Sequence, residues 1–294
     1  MPRNFLQRLT ILLMLAACIA AATPGRIIHR EQSPFNPIIV RENQRGIRTM
    51  HFREDGLAQT EIDTRNPRRL VSAYARVSML SLAIVPRPGR ILVVGLGGGA
   101  MPTFLRHNLP EAIIDIAELD PQVVAVAERF FFFRQDAKMT VHAGDGRAFM
   151  EKSNDRYDII FLDAFGPDDA PFSLTTREFL ISVRSHLAEG GLAVANVCGP
   201  GTNRLYHSMI KTYQEVFPEL HIIRAPASDN QVVFAFAAGT GMTRQELEKL
   251  ASRLQTSVDP PLNLEPVVRS QYLHAPRPPA DARVLLDADA PPRQ

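Results

Sequence analysis

The chain contains no tryptophan, and its two cysteines, Cys18 and Cys198, are far apart. That excludes a disulfide framework and a cysteine-built metal cluster. The eight histidines are dispersed, with no HxH or HxxxH pair. No metal site is expected. Arginine is common but scattered, and the net charge is only +2. No basic run is long enough for a nucleic-acid groove, so no nucleic-acid partner is expected. No apolar run approaches the ~20 residues that a transmembrane helix needs. What remains is a chain of 294 residues, 45% hydrophobic and 22% charged. It has material for one large core and a smaller unit beside it.

The first residues differ from the rest. Arg3 and Arg8 precede an apolar run from Leu9 to Ala17, and small residues follow. A basic start, a short apolar stretch and a small-residue exit mark an export signal. Leu15-Ala16-Ala17-Cys18 resembles a lipobox, which would attach the chain to a membrane through lipid on Cys18; Ala20-Ala21-Ala22 offers ordinary cleavage instead. The chain is then exported, periplasmic or lipid-anchored, if the signal operates, and cytoplasmic if it does not.

Four segments emerge. Residues 1–22 form the signal or lipoprotein segment. Residues 23–70 read as a small N-terminal β domain, with strands at Pro37–Val40, Ile47–Phe52 and Leu57–Ile62 and a turn at Asp55-Gly56. Residues 71–240 alternate strand and helix, which predicts an α/β, Rossmann-like domain with a mostly parallel sheet covered on both faces. Residues 241–294 hold an amphipathic helix from Thr243 to Gln255 and a proline-rich tail, extended or disordered from Pro260. Within the α/β region, helical spacing predicts one helix over 69–84. A second helix runs from Thr176 to Leu187 and is closed by Gly190-Gly191. Phe130 to Phe133 read as a helix end packed on the sheet; exposed, they would suit a homodimer contact.

Four strand ends carry candidate chemistry. Gly95-Leu96-Gly97-Gly98-Gly99-Ala100 follows the apolar strand Ile91–Val94 and precedes a helix. Such a loop turns sharply and presents a helix N-terminus to a ligand; dinucleotide and S-adenosylmethionine folds both use it. Glu118 ends the next strand, where a carboxylate can accept from both ribose hydroxyls. Asp120, just before Pro121, is the better helix cap. Gly144-Asp145-Gly146 ends the third strand, where Asp145 can accept from an adenine amino group or simply serve a turn. Asp163 ends the fourth; partly desolvated, it could take a proton from an amine, or it could cap loop amides. Each signal is weak alone, but their order on consecutive strands is specific.

This order resembles the spermidine synthase (polyamine aminopropyltransferase) family over roughly residues 30 to 240. The register runs without a gap from Ile91 through Glu118-Leu119-Asp120-Pro121 and continues through Gly144-Asp145-Gly146, Leu162-Asp163 and Thr176-Arg177-Glu178-Phe179. Ser33-Pro34-Phe35-Asn36, Gln59 and Tyr74 also occupy family positions, and the chain looks like the branch with altered polyamine-site acids. The resemblance implies a small-molecule amine acceptor and decarboxylated S-adenosylmethionine as co-substrate. It implies ribose on Glu118, adenine on Asp145, a donor site around Gly95, Gly97, Gly98, Gly99, Gly146 and Gln59, and acid/base work by Asp163 beside Tyr74. Three family acids are missing. Gly98 and Gly166 stand where the family has aspartates, and Ala75-Arg76 replaces its His/Gln-Glu. Loss of the acid at position 98 would also admit the carboxylate of intact S-adenosylmethionine, which keeps a methyltransferase open as the alternative. A non-catalytic exported cofactor-binding protein is the third reading. Asp168 and Asp169 are candidates to replace the acid missing at Gly166.

Overall fold

The computed structural model describes residues 25–166, 170–274 and 276–291. The signal segment with Cys18, and the candidates Asp168 and Asp169, lie outside the described residues. Four strands come first: β1 (Arg26–Gln32), β2 (Pro37–Glu42), β3 (Ile47–His51) and β4 (Ala58–Asp63). They pair antiparallel in chain order. One face of this small sheet buries Ile38, Val40, Met50 and Ile62 against Val123, Val126 and Phe131. The small sheet is thereby seated on the larger domain, over the helix that follows the second of its strands.

The larger domain alternates β5 (Arg90–Val94), β6 (Ile113–Glu118), β7 (Met139–Ala143), β8 (Tyr157–Leu162) and β9 (Leu187–Cys198) with helices. Its eight strands lie in the order β12-β10-β11-β9-β8-β5-β6-β7. Strands β9, β8, β5, β6 and β7 run parallel. Strands β10 (Glu219–Arg224), β11 (Asn230–Phe236) and β12 (Tyr272–Leu273) extend the sheet antiparallel. Side chains alternate across the sheet as its period of two requires. Ile91, Val93, Ile159 and Phe161 join one core layer, and Leu92, Val94, Ile160 and Leu162 join the other. Both faces are apolar because helices cover both.

The segment predicted as one helix over 69–84 is two, α1 (Ala73–Ser78) and α2 (Ser81–Ile84), separated at Met79-Leu80. Both linking residues are fully buried, so packing rather than helical period sets the break. The other helices flanking the cleft are α3 (Ala100–Asn108), α4 (Pro121–Phe130) and α5 (Gly146–Lys152). Then come α6 (Arg177–Ser185) and α7 (Tyr206–Val216). Gly190-Gly191 do not close α6, which ends at Ser185 with His186 as its cap. They lie inside β9, where pairing with β8 slips between Tyr157 and Ile159 and Gly190 takes φ +72°. A bulge uses a left-handed glycine as readily as a helix end does, which is why the pattern misleads.

Beyond residue 240, α8 (Arg244–Ser257) starts on a capping box between Thr243 and Glu246. The tail is more structured than its prolines predict. It forms α9 (Glu265–Gln271), adds β12 to the edge of β10, and buries Leu262, Leu264, Val268 and Leu285. Single apolar anchors spaced along a polar tail leave no period to read. Among the described residues, no helix is long and apolar enough to cross a membrane.

Candidate active site

Strands β8, β5, β6 and β7 are neighbours, so their carboxyl ends align Asp163, the glycine loop, Glu118 and Asp145 along one edge. The small sheet faces that edge through β4. Between them opens a cleft. Gln59, Tyr74, Gly95, Gly97, Glu118, Asp145, Gly146 and Asp163 all line it. Gly98 and Gly99 do not line it. A Cβ on Gly98 would lie 2.5 Å from Thr60 Cγ2 and 2.7 Å from the Phe131 ring. One on Gly99 would lie 2.6 Å from the Phe133 ring. These two glycines are therefore where the loop packs against its supports.

Gly95 is required by approach as well as conformation. Its φ is +96°, and a Cβ would fall 2.5 Å from the Asp163 carbonyl oxygen. Only hydrogen fits, and the glycine turn and the Asp163 backbone are thereby held together. Glu118 anchors the same loop. The Leu96 amide donates to Glu118 Oε2 at 2.8 Å, and the Asp120 amide donates to Oε1 at 3.0 Å. Burial pushes the Glu118 pKa up, and these backbone donors oppose the rise. A carboxylate oxygen has two lone pairs, so both oxygens retain capacity toward the cleft. Asp120 caps α4 by accepting from the Gln122 amide at 2.9 Å, while its buried Oδ2 has no partner among the described residues. Asp145 accepts from the Ala148 amide at 2.8 Å as the cap of α5; its other oxygen is free of that bond and it is exposed at the cleft.

Asp163 sits between two donors. Tyr74 donates its hydroxyl to Oδ2 at 3.2 Å, and Asn196 donates its amide to Oδ1 at 2.9 Å. Burial nevertheless dominates and pushes the Asp163 pKa up to about 7, against the pull of both hydrogen bonds. Burial, reinforced by Asp163, pushes the Tyr74 hydroxyl well above its ordinary range. A carboxyl group poised near neutrality beside a neutral phenol can exchange a proton with an amine.

Position 98 is closed by Thr60 and Phe131. At position 166, the backbone carbonyl accepts from Gln59 Nε2 at 3.4 Å. Arg76 turns away from the cleft and donates to the Leu70 carbonyl at 3.1 Å and to that of Val71. Sequence reading missed Glu61. It lies half-buried in the cleft wall two residues beyond Gln59, with Ser72 Oγ donating to Oε2 at 3.2 Å. Alternation along β4 was the available signal, since Gln59 and Glu61 share a face. Phe35 and Asn36 also reach the cleft, on a turn whose amides donate to Ser33 Oγ. Phe131 and Phe133 are buried behind the glycines, whereas Phe132 is 46% exposed. Among the described residues, no cluster of three or more His, Cys, Asp or Glu is placed to hold a metal.

Comparison with known proteins shows what the chain is similar to. The family described as "Spermine/spermidine synthase domain" matches residues 75–246. A polyamine aminopropyltransferase of Vibrio vulnificus is 35% identical over 239 residues, which is 78% of this chain and 79% of that protein. The crystal structure of a probable spermidine synthase from Corynebacterium glutamicum superposes with a TM-score of 0.69, covering 92% of this chain and 99% of that one at 18% identity. Human methyltransferase-like protein 13 in complex with SAH superposes with a TM-score of 0.56, covering 72% of this chain and 97% of that one at 27% identity.

Proposed function

The chain belongs to the spermine/spermidine synthase family, and from that premise we propose that it is an aminopropyltransferase moving the aminopropyl group of decarboxylated S-adenosylmethionine to a small amine. The observation that carries this reading is Asp163, held between the Tyr74 hydroxyl and the Asn196 amide at the end of β8 in the cleft wall. Glu118 accepts the ribose hydroxyls while its backbone bonds hold the loop. Asp145 takes the adenine amino group at the mouth. Gly95 and Gly97 let the nucleoside approach the backbone, and Gln59 closes the cleft from β4.

Asp163 takes the proton that the acceptor amine releases. As the new C–N bond forms, the donor's C–S bond breaks and its electron pair returns to sulfur, leaving a thioether nucleoside. Tyr74 holds the carboxylate in place and keeps its own proton. Glu61 offers negative charge to the cationic part of the substrates, a role the absent acids would otherwise fill.

A methyltransferase is the second reading. It is favoured by the likeness to a methyltransferase bound to SAH. One experiment separates the two. The chain is titrated calorimetrically with intact and with decarboxylated S-adenosylmethionine, and each mixture is then given a diamine and checked for product by mass. Tighter binding of the decarboxylated donor, with a 57 Da gain on the amine that corresponds to one aminopropyl unit, is expected on the order of the family chemistry. Tighter binding of the intact donor, with methyl transfer or none, overturns the proposal.

A further inference from the structure

Three adjacent strands each contribute one residue to a hydrogen-bonded chain behind Asp163. Asp163 follows β8. Asn196 lies on β9, one residue beyond Ala195, which pairs with Leu162. Asn230 opens β11, which runs antiparallel to β9. Asn196 donates to Asp163 Oδ1 at 2.9 Å, Asn230 Nδ2 donates to Asn196 Oδ1 at 2.8 Å, and Ser228 Oγ donates to Asn230 Oδ1 at 2.6 Å. The direction follows from chemistry. An ionised carboxylate only accepts, so Asn196 must turn its NH₂ group toward it. Its carbonyl then faces Asn230, which must present NH₂ in turn. Every donor in the row points toward Asp163.

We propose that Asn196 and Asn230 are positioning residues for Asp163, a one-directional amide relay that favours its ionised form and aims its remaining lone pairs at the acceptor amine. The inference rests on reading Asp163 as the base of the transfer. Asn196 is only 8% exposed, so loss of Asn230 would leave its carbonyl with little access to water and its amide free to turn. Hydrogen bonds polarise one another along such a row, so the distal member acts through the proximal one. The titratable groups on the surrounding elements are Tyr74 on α1, Glu61 on β4, Glu118 at the end of β6 and Asp145 before α5; of these, Tyr74 hydrogen-bonds Asp163. The relay enters from the opposite oxygen.

The test follows the Asp163 carboxyl directly. The full chain is labelled with ¹³Cγ-aspartate, the Asp163 signal is assigned with Asp163→Asn, and its titration is recorded in Asn196→Ala, Asn196→Gln and Asn230→Ala. In Asn196→Ala the midpoint rises by about one pH unit, the size expected for losing one donor to a charged group. The acidic limb of kcat/KM for the amine rises with it, and donor Kd is unchanged. Asn230→Ala moves both in the same direction by less, and Asn196→Gln recovers part of the shift. An unmoved midpoint in folded Asn196→Ala overturns the relay. If that variant does not fold, Asn230→Ala decides, and an unmoved midpoint there overturns the relay equally. Because titration needs no turnover, a shifted midpoint in a chain that transfers nothing upholds the relay and rejects the base assignment instead.

Discussion

At the residue scale, the burial of Asp163 carries a stability cost. Its pKa of about 7 lies above the ordinary 3.8, with burial the largest cause. Between those values the unfolded chain has lost its proton while the folded chain keeps it. Folded stability therefore falls as pH rises through that window and stays reduced above it. Asp163→Asn, which keeps the shape and both hydrogen bonds in reoriented form, is expected to raise unfolding free energy at pH 8 by roughly 1–3 kcal/mol and to change it little at pH 4. The same variant should lower aminopropyl transfer about 10²–10⁴-fold. Denaturant unfolding at the two pH values and a transfer assay check both halves. Glu61→Gln removes charge without volume. It should raise the amine KM about tenfold, the scale of one lost charge-assisted contact, while donor Kd and saturated kcat hold. An unchanged KM would place the amine elsewhere in the cleft.

At the element scale, the glycine loop is held from behind as well as in front. Phe131 and Phe133, immediately after α4, press on Gly98 and Gly99, and Thr60 of β4 reaches Gly98 from the small sheet. The tetraphenylalanine run is thus divided by alternation: two rings support the loop, and Phe132 faces outward with φ +61°. Gly98→Ala should cost about 1–3 kcal/mol through overpacking and weaken nucleoside binding by displacing the loop, whereas Gly98→Ala with Thr60→Ser should recover part of both. Thermal unfolding and donor titration read this out. An equally stable single variant would mean that the loop is not packed as described. Gly98→Asp meets the same obstruction, so a changed donor preference in that variant requires Thr60 and the Phe131 ring to move first.

At the scale of the whole molecule, the described part of the C-terminal tail is tied to a cleft it does not line. Asp287 pairs with Arg147 on α5 through two bonds, at 2.7 and 2.6 Å, and accepts from Thr176, the cap of α6, at 2.7 Å. The α5 helix begins at Asp145, so the clamp steadies one wall of the cleft. Leu285 is buried beside it, its amide donating to Thr212 Oγ1 and its carbonyl accepting from the Arg177 amide. The pair is partly exposed, with 40% of the Asp287 side chain open to solvent, so its worth is modest. Asp287→Ala should lower the local opening free energy of the tail by about 1 kcal/mol and speed exchange of the Leu285 amide roughly fivefold, with global unfolding little changed. Hydrogen exchange followed by mass spectrometry measures it; uniform acceleration throughout the chain would mean the tail unfolds with the core.

The local signals in this chain are strong wherever a physical constraint acts on neighbours in sequence. Apolar runs ending in glycine or an acid announce β5, β6 and β8. Asp120 before Pro121 announces the cap of α4, and Thr243 with Glu246 the start of α8, because these bonds close within a few residues. The order of Gly95, Glu118, Asp145 and Asp163 was legible for the same reason: in a parallel sheet, every βα unit returns its strand end to one edge. Tertiary structure alone decided the rest. It split the helix over 69–84, assigned Gly190-Gly191 to a strand, turned Arg76 outward, brought Glu61 inward, closed position 98 with Thr60 and Phe131, and joined Asn196 and Asn230 to Asp163. Most of these depend on residues far apart in sequence meeting in space, and the energy of such a meeting leaves little trace in the local pattern of either partner.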